Sequence, residues 1–212
     1  MPHGPMAVPS ELPERLEQIQ QFLVECDRFK TVLRRNYIVD GSRLENDAEH
    51  SWHMALYAVL LQREVGLEVD LARVLPMILV HDLVEIDAGD TFAYDTAALQ
   101  DQAAREQAAA DRLFGLLPDD LGRHVRGLWE EFEVGETDEA RFARALDRLQ
   151  AFAQNVASGG KAHREHGVSR PQTRQRMAEA LAADPVLERL VEALYDRADR
   201  TPGYWSGAVT GR

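Results

Sequence analysis

The chain has 212 residues, 45% of them hydrophobic, a single cysteine and a formal net charge of −12. This length and apolar share suit one globular domain with its own core, expected over residues 10–200. The acidic balance argues against a nucleic-acid polymer as partner, since such binding rests on clustered Lys and Arg that neutralise phosphates, and no apolar run approaches the ~20 residues of a membrane span.

Residues 1–9 lack the basic and apolar regions of a signal peptide and read as a short disordered lead, so a cytoplasmic protein is expected. Ser10 is the predicted N-cap of a first helix running to about Arg35. Cys26 falls on its apolar stripe with Leu16, Ile19, Phe22, Leu23 and Phe29, as a small core residue in a reducing compartment would. Asn46 or Asp47 caps a second helix, which carries His50, continues through Leu61 and is ended by Gly66. Asp70 opens a third segment from Leu71 to Ile86, where Pro76 predicts a kink or a broken first turn before the apolar run that leads into His81 and Asp82.

Residues 87–91 are turn formers, and Asp95 or Thr96 caps an Ala-rich helix to about Leu116. Pro118 starts another that ends near Gly135. Thr137 or Asp138 caps the helix holding Asp147, closed by Gly159 and Gly160, and Asp184-Pro185 opens the last. The segment 201–212 has little periodicity and reads as a tail that is either disordered or folded over a site. The apolar period is close to 3.6 almost throughout and strand-like alternation is missing, so the expected fold class is all-α, a compact multi-helix bundle.

His50, His81, Asp82 and Asp147 stand out chemically. Neutral imidazoles and ionised carboxylates converging from three predicted helices suit one divalent cation with open positions for water and substrate. As buried polar groups without a cation they would be costly. The donor set is compatible with Mn, Co, Mg, Zn, Fe or Ni. His53 reads as a partly buried helix histidine, and His124, His163 and His166 as solvated ones.

Glu49-His50-Ser51, His81-Asp82 with Glu85, Gly89-Asp90 and Ala145-Leu146-Asp147-Arg148-Leu149 together resemble the HD-domain metal-dependent phosphohydrolases, particularly the branch of the 5'-deoxynucleotidases. The resemblance spans roughly Arg35 to Phe152. It implies that His50, His81, Asp82 and Asp147 ligate one divalent ion, with Mn, Co or Mg preferred. It further implies that Glu85 transfers a proton or orients a ligand, that Asp90 lies near the leaving group, and that the protein is a homodimer.

Arg35 lies fifteen residues before His50, as the phosphate-orienting Arg of that branch does, with Arg34 as its solvated neighbour. Asn36 stands where the branch has an aromatic residue, and Thr91-Phe92-Ala93-Tyr94 replaces its Pro-containing loop. Asn36 and Thr91 therefore join Arg35 as candidate substrate contacts. A two-metal site would want more histidines than His124 between Asp82 and Asp147, which favours one ion.

The expected activity is release of phosphate from a small phosphorylated substrate, a (deoxy)nucleoside 5'-monophosphate. Alternatives are a nucleotide pyrophosphohydrolase, a phosphodiesterase, a nucleotide-sensing module without catalysis, or an interaction protein using Ala97 to Ala110 and Val186 to Leu194 as an oligomer interface. One nearby Arg favours the monoester, because a longer polyphosphate calls for more cations. Folding can alter that balance by bringing in Arg63, Arg105 or Arg148.

Overall fold

The computed structural model describes residues 12–205. The lead at 1–9, the Ser10 cap and residues 206–212 of the tail lie outside the described residues. The fold is an all-α bundle with one small hairpin. Helix α1 covers Glu14–Cys26, with Pro13 at its N-cap and Glu14 and Glu17 in its first turn.

This first helix stops well short of Arg35. A 3₁₀ turn at Asp27–Thr31 follows, then strand β1 (Leu33–Tyr37), paired antiparallel with β2 (Leu44–Asn46). The β-branched pair Thr31-Val32 is a poor helix continuation. The turn at Asp40-Gly41 closes the hairpin, with Gly41 at φ 71° and the Ser42 amide donating to Asp40 Oδ1 at 2.9 Å.

Helix α2 (Asp47–Leu61) starts in a reciprocal capping box. The Glu49 amide donates to Asn46 Oδ1 at 3.0 Å, and the Asn46 amide donates back to Glu49 Oε2 at 3.2 Å. This box places His50 on the first turn. The helix ends at Leu61, before Gly66, whose amide instead donates to Asp184 Oδ2 at 2.8 Å. Helix α3 (Leu71–Val80) is capped by Asp70 and stays helical through Pro76.

The third segment does not continue to Ile86 as one helix. His81 is the C-cap of α3, a tight turn carries Asp82, and a four-residue helix α4 (Glu85–Ala88) follows. The His-Asp pair thus sits at a helix C-terminus, whose free carbonyls and dipole favour a cation. Asp95 caps a 3₁₀ turn at Ala98–Gln100, and the Ala-rich helix α5 begins later, at Gln102, and runs to Phe114.

Helix α6 (Asp119–Val134) begins after Pro118 and ends at left-handed Gly135. Helix α7 (Asp138–Ala157), capped by Thr137, is the central post, with twelve of its residues buried. It packs against α2, α3 and α6. The remaining elements are α8 (Lys161–Glu165), α9 (Arg170–Arg176), α10 (Ala178–Ala183) and α11 (Pro185–Arg200).

Two apolar clusters flank the polar centre. One joins α2, α3, α7 and α11 through Met54, Ile78, Phe142, Leu146 and Val191. The other joins α1, α4, α5 and α6 through Phe22, Val84, Leu113, Phe114 and Trp129. Beyond α11, Tyr204 is buried against Gly160, where an added β-carbon would lie 2.6 Å from its ring. So the first residues of the predicted tail are an ordered part of the packing.

Candidate metal centre and substrate cavity

His50 from α2, His81 from the end of α3 and Asp147 from α7 place ligand atoms within 4.8 Å of one another. Asp82 joins them, its Oδ2 lying 3.0 Å from His81 Nε2 and 3.9 Å from His50 Nε2. Both imidazoles are held by their Nδ1 atoms. His50 Nδ1 is 2.7 Å from Gln150 Oε1, and His81 Nδ1 is 2.7 Å from the carbonyl of Ile78.

Those oxygens can only accept, so each Nδ1 carries a proton and each Nε2 points inward as the atom that would ligate an ion on giving up its own proton. His50 Nε2 lies 3.0 Å from Asp147 Oδ1, and His81 Nε2, buried, lies at the same distance from Asp82 Oδ2. Two buried imidazole nitrogens facing carboxylates fit a divalent ion well. Burial opposes charge on His81, yet Asp82 and Asp147 raise its pKa to about 9, the behaviour of a pit built for positive charge.

Gln150 was not anticipated from the sequence. It sits one turn beyond Asp147 on α7, accepts from His50, and donates through Nε2 to Glu45 at 2.9 Å and to Gln154 at 3.2 Å. Its only sequence signal is that i,i+3 spacing from Asp147.

Arg34 reverses the expectation that it is the solvated neighbour of Arg35. Its side chain is largely buried, with Nη1 at 2.8 Å from Asp82 Oδ2 and 3.3 Å from Asp47 Oδ1, and Nη2 at 3.8 Å from Asp147 Oδ1. Burial alone would weaken that guanidinium, but Asp82, Asp147 and Asp90 hold it firmly charged. Arg35 is exposed and lines the cavity wall.

Asp47, Asp82 and Glu85 form a second close carboxylate group. Arg34 already stands against Asp47 and Asp82 as their cation, in keeping with one metal. His124 is exposed on α6, away from the centre. Glu85 is 7% exposed, and its Oε2 has no hydrogen-bond partner among the described residues. Burial, with the nearby charges of Asp82 and Asp47, pushes its carboxyl well above the ordinary Glu value. The same forces, led by burial and Asp82, bring Asp47 to about 7, and Asp90 is raised too, chiefly by burial.

These groups line one end of a cavity of about 380 Å³. Asn36 is fixed there by Asn155 Nδ2, which donates to its Oδ1 at 2.7 Å. Thr91 Oγ1 accepts from Arg105 Nη2 at 3.0 Å, so Arg105 braces the loop after α4. The far end is aromatic: Phe92, Tyr94, Phe152 and His163 line it. His163 is buried, not solvated, with Trp205 stacked on it at 6.0 Å between ring centroids.

Comparison with known proteins bears on this site directly. The family model described as HD domain matches residues 26–188. The chain belongs to the HD-domain family. A crystal structure of a predicted metal-dependent phosphohydrolase from Magnetospirillum magnetotacticum is 45% identical, superposes with a TM-score of 0.85, and shares 91% of this chain and 96% of its own. The curated 5'-deoxynucleotidase HDDC2 of Xenopus laevis is 29% identical over 85% of this chain and 87% of its own length. Its human counterpart is 30% identical over 63% of this chain and 65% of its own length.

Proposed function

We propose that this HD-domain protein is a metal-dependent phosphohydrolase of nucleotides, releasing phosphate from (deoxy)nucleoside 5'-monophosphates. The observation that carries the reading is the pair of Nε2 atoms, each freed by its own Nδ1 hydrogen bond, facing Asp82 and Asp147 with Arg34 beside them. The named 5'-deoxynucleotidase relatives supply the substrate class.

His50, His81, Asp82 and Asp147 would hold the divalent ion, Mn, Co or Mg. When bound, it supplies Lewis acidity that polarises phosphoryl oxygens and activates water. Arg34, permanently charged, binds the phosphate from the side of Asp82, with Arg35 at the cavity wall. Glu85, its carboxyl raised by burial, carries a proton to the departing alcohol, and Asp90 orients that side of the substrate. Asn36, fixed by Asn155, and Thr91, fixed by Arg105, set the polar edge along which the sugar lies. Phe92, Tyr94 and Phe152 exclude water and offer ring faces to a base.

A cytoplasmic homodimer completes the reading. It is supported by an exposed apolar stripe on α2 at helical spacing, Trp52, Leu56, Val59 and Leu60, which a two-fold contact would cover. No helix among the described residues is long and apolar enough to cross a membrane.

The test is phosphate release from a panel of ribo- and deoxyribonucleoside 5'-monophosphates with Mn, Co and Mg supplied separately. Asp82→Ala serves as the control. Metal-dependent release that the variant loses is the expected result. Silence across the panel, with metal bound, would remove the monoesterase reading.

A further inference from the structure

The polar end of the cavity has a second cationic wall, which the proposed reaction leaves unused. Arg144 and Arg148 project from α7, and Arg176 closes α9; all three line the cavity. Arg144 is fully engaged, donating to the carbonyls of Phe132 and Glu133 at 3.0 and 2.9 Å and to Glu179 at 3.1 Å.

Arg148 is not. It is 8% exposed, its one ion pair among the described residues is with Glu179, and its Nε is buried with no hydrogen-bond partner. Such a group wants an anion.

Arg176 is half-exposed, and its only ion pair among the described residues is with Asp147, Nη2 to Oδ2 at 3.5 Å. Arg34 approaches the other oxygen of the same carboxylate, at 3.8 Å. The two guanidinia therefore flank Asp147 from opposite sides. An ion held by Asp147 would draw on the one carboxylate that Arg176 pairs with, and Glu179 is shared between Arg144 and Arg148.

We propose that Arg148 and Arg176 form a second anion subsite on the α7–α9 wall, across Asp147 from Arg34, which takes a phosphoryl group additional to the one held at Arg34. The subsite rests on the phosphohydrolase reading for the identity of its anion. It also answers the objection that a longer phosphate chain needs more cations than one Arg.

Equilibrium dialysis of radiolabelled orthophosphate against the Mg-loaded full chain tests this. Wild type is expected to bind two equivalents. Arg176→Gln should weaken one of them by about tenfold or more, and Arg34→Gln should weaken the other. Glu179→Gln, an exposed change that releases Arg148, should tighten the first. A single equivalent in wild type, or two that Arg176→Gln leaves unchanged, overturns the subsite.

Methylenediphosphonate, two phosphoryl groups joined by carbon, separates the sources of the anion. If one molecule expels both orthophosphates, the subsite serves a second phosphoryl of the same substrate. If it expels one, the subsite serves free orthophosphate. Loss of nucleotide hydrolysis is read in a separate assay, so two bound phosphates without turnover would sink the catalytic reading and leave the subsite standing.

Discussion

His81 and His163 are buried equally, at 2% and 3% exposure, in opposite surroundings. Burial disfavours a charged imidazole at both. At His81 the carboxylates of Asp82 and Asp147 overcome that penalty and lift the pKa to about 9. At His163 burial leads, His166 adds to it, and the pKa falls to about 4. Burial alone thus does not choose a protonation state; the charge of the wall does. One end of the cavity is a pit that demands cations, and the other is a stack of rings around a neutral imidazole.

Four measurements press on this contrast. The largest effect is expected from Asp82→Ala, which should remove metal retention and turnover together, as read by elemental analysis and phosphate release. Retained metal with full activity would dissolve the pit as the reactive end. Glu85→Ala should keep the metal and lose rate by ~10²- to 10⁴-fold if its raised carboxyl is the proton carrier. An unchanged rate would leave that carboxyl a ligand-orienting group.

Gln150→Leu should weaken metal affinity by ~10- to 100-fold without touching a ligand, because His50 loses the acceptor that fixes its ring. Metal titration would show it. The smallest effect belongs to the ring end. His163 is neutral in the fold, so its contribution is intact above about pH 6.5 and is lost as pH falls towards its folded pKa of about 4. His163→Phe should flatten that part of the stability profile, and an unaltered profile would show that the titration lies elsewhere.

The sequence carried the pit well and its surroundings poorly. The helices that carry His50, lead into His81 and Asp82, and carry Asp147 are strongly periodic with readable caps at Asn46, Asp70 and Thr137, and the resemblance to the HD-domain family implied that the four side chains meet. The hairpin could not, because Leu33 to Tyr37 is short, mostly polar and without alternation. Arg34 and Arg35 were consequently ranked the wrong way round for burial. Which of two adjacent arginines turns inward depends on strand pairing and on Asp47, Asp82 and Asp147, all distant in the chain. Gln150 had only its i,i+3 spacing from Asp147, Arg148 only its place beside it, and Arg176 was not singled out, since an ordinary polar residue becomes special only through what the fold sets opposite it.

Tyr204 seated on Gly160 also works as a latch. A β-carbon there would meet its ring at 2.6 Å, so the bare backbone of the turn after α7 lets the chain beyond α11 lie down and join Trp205 and His163 in one stack.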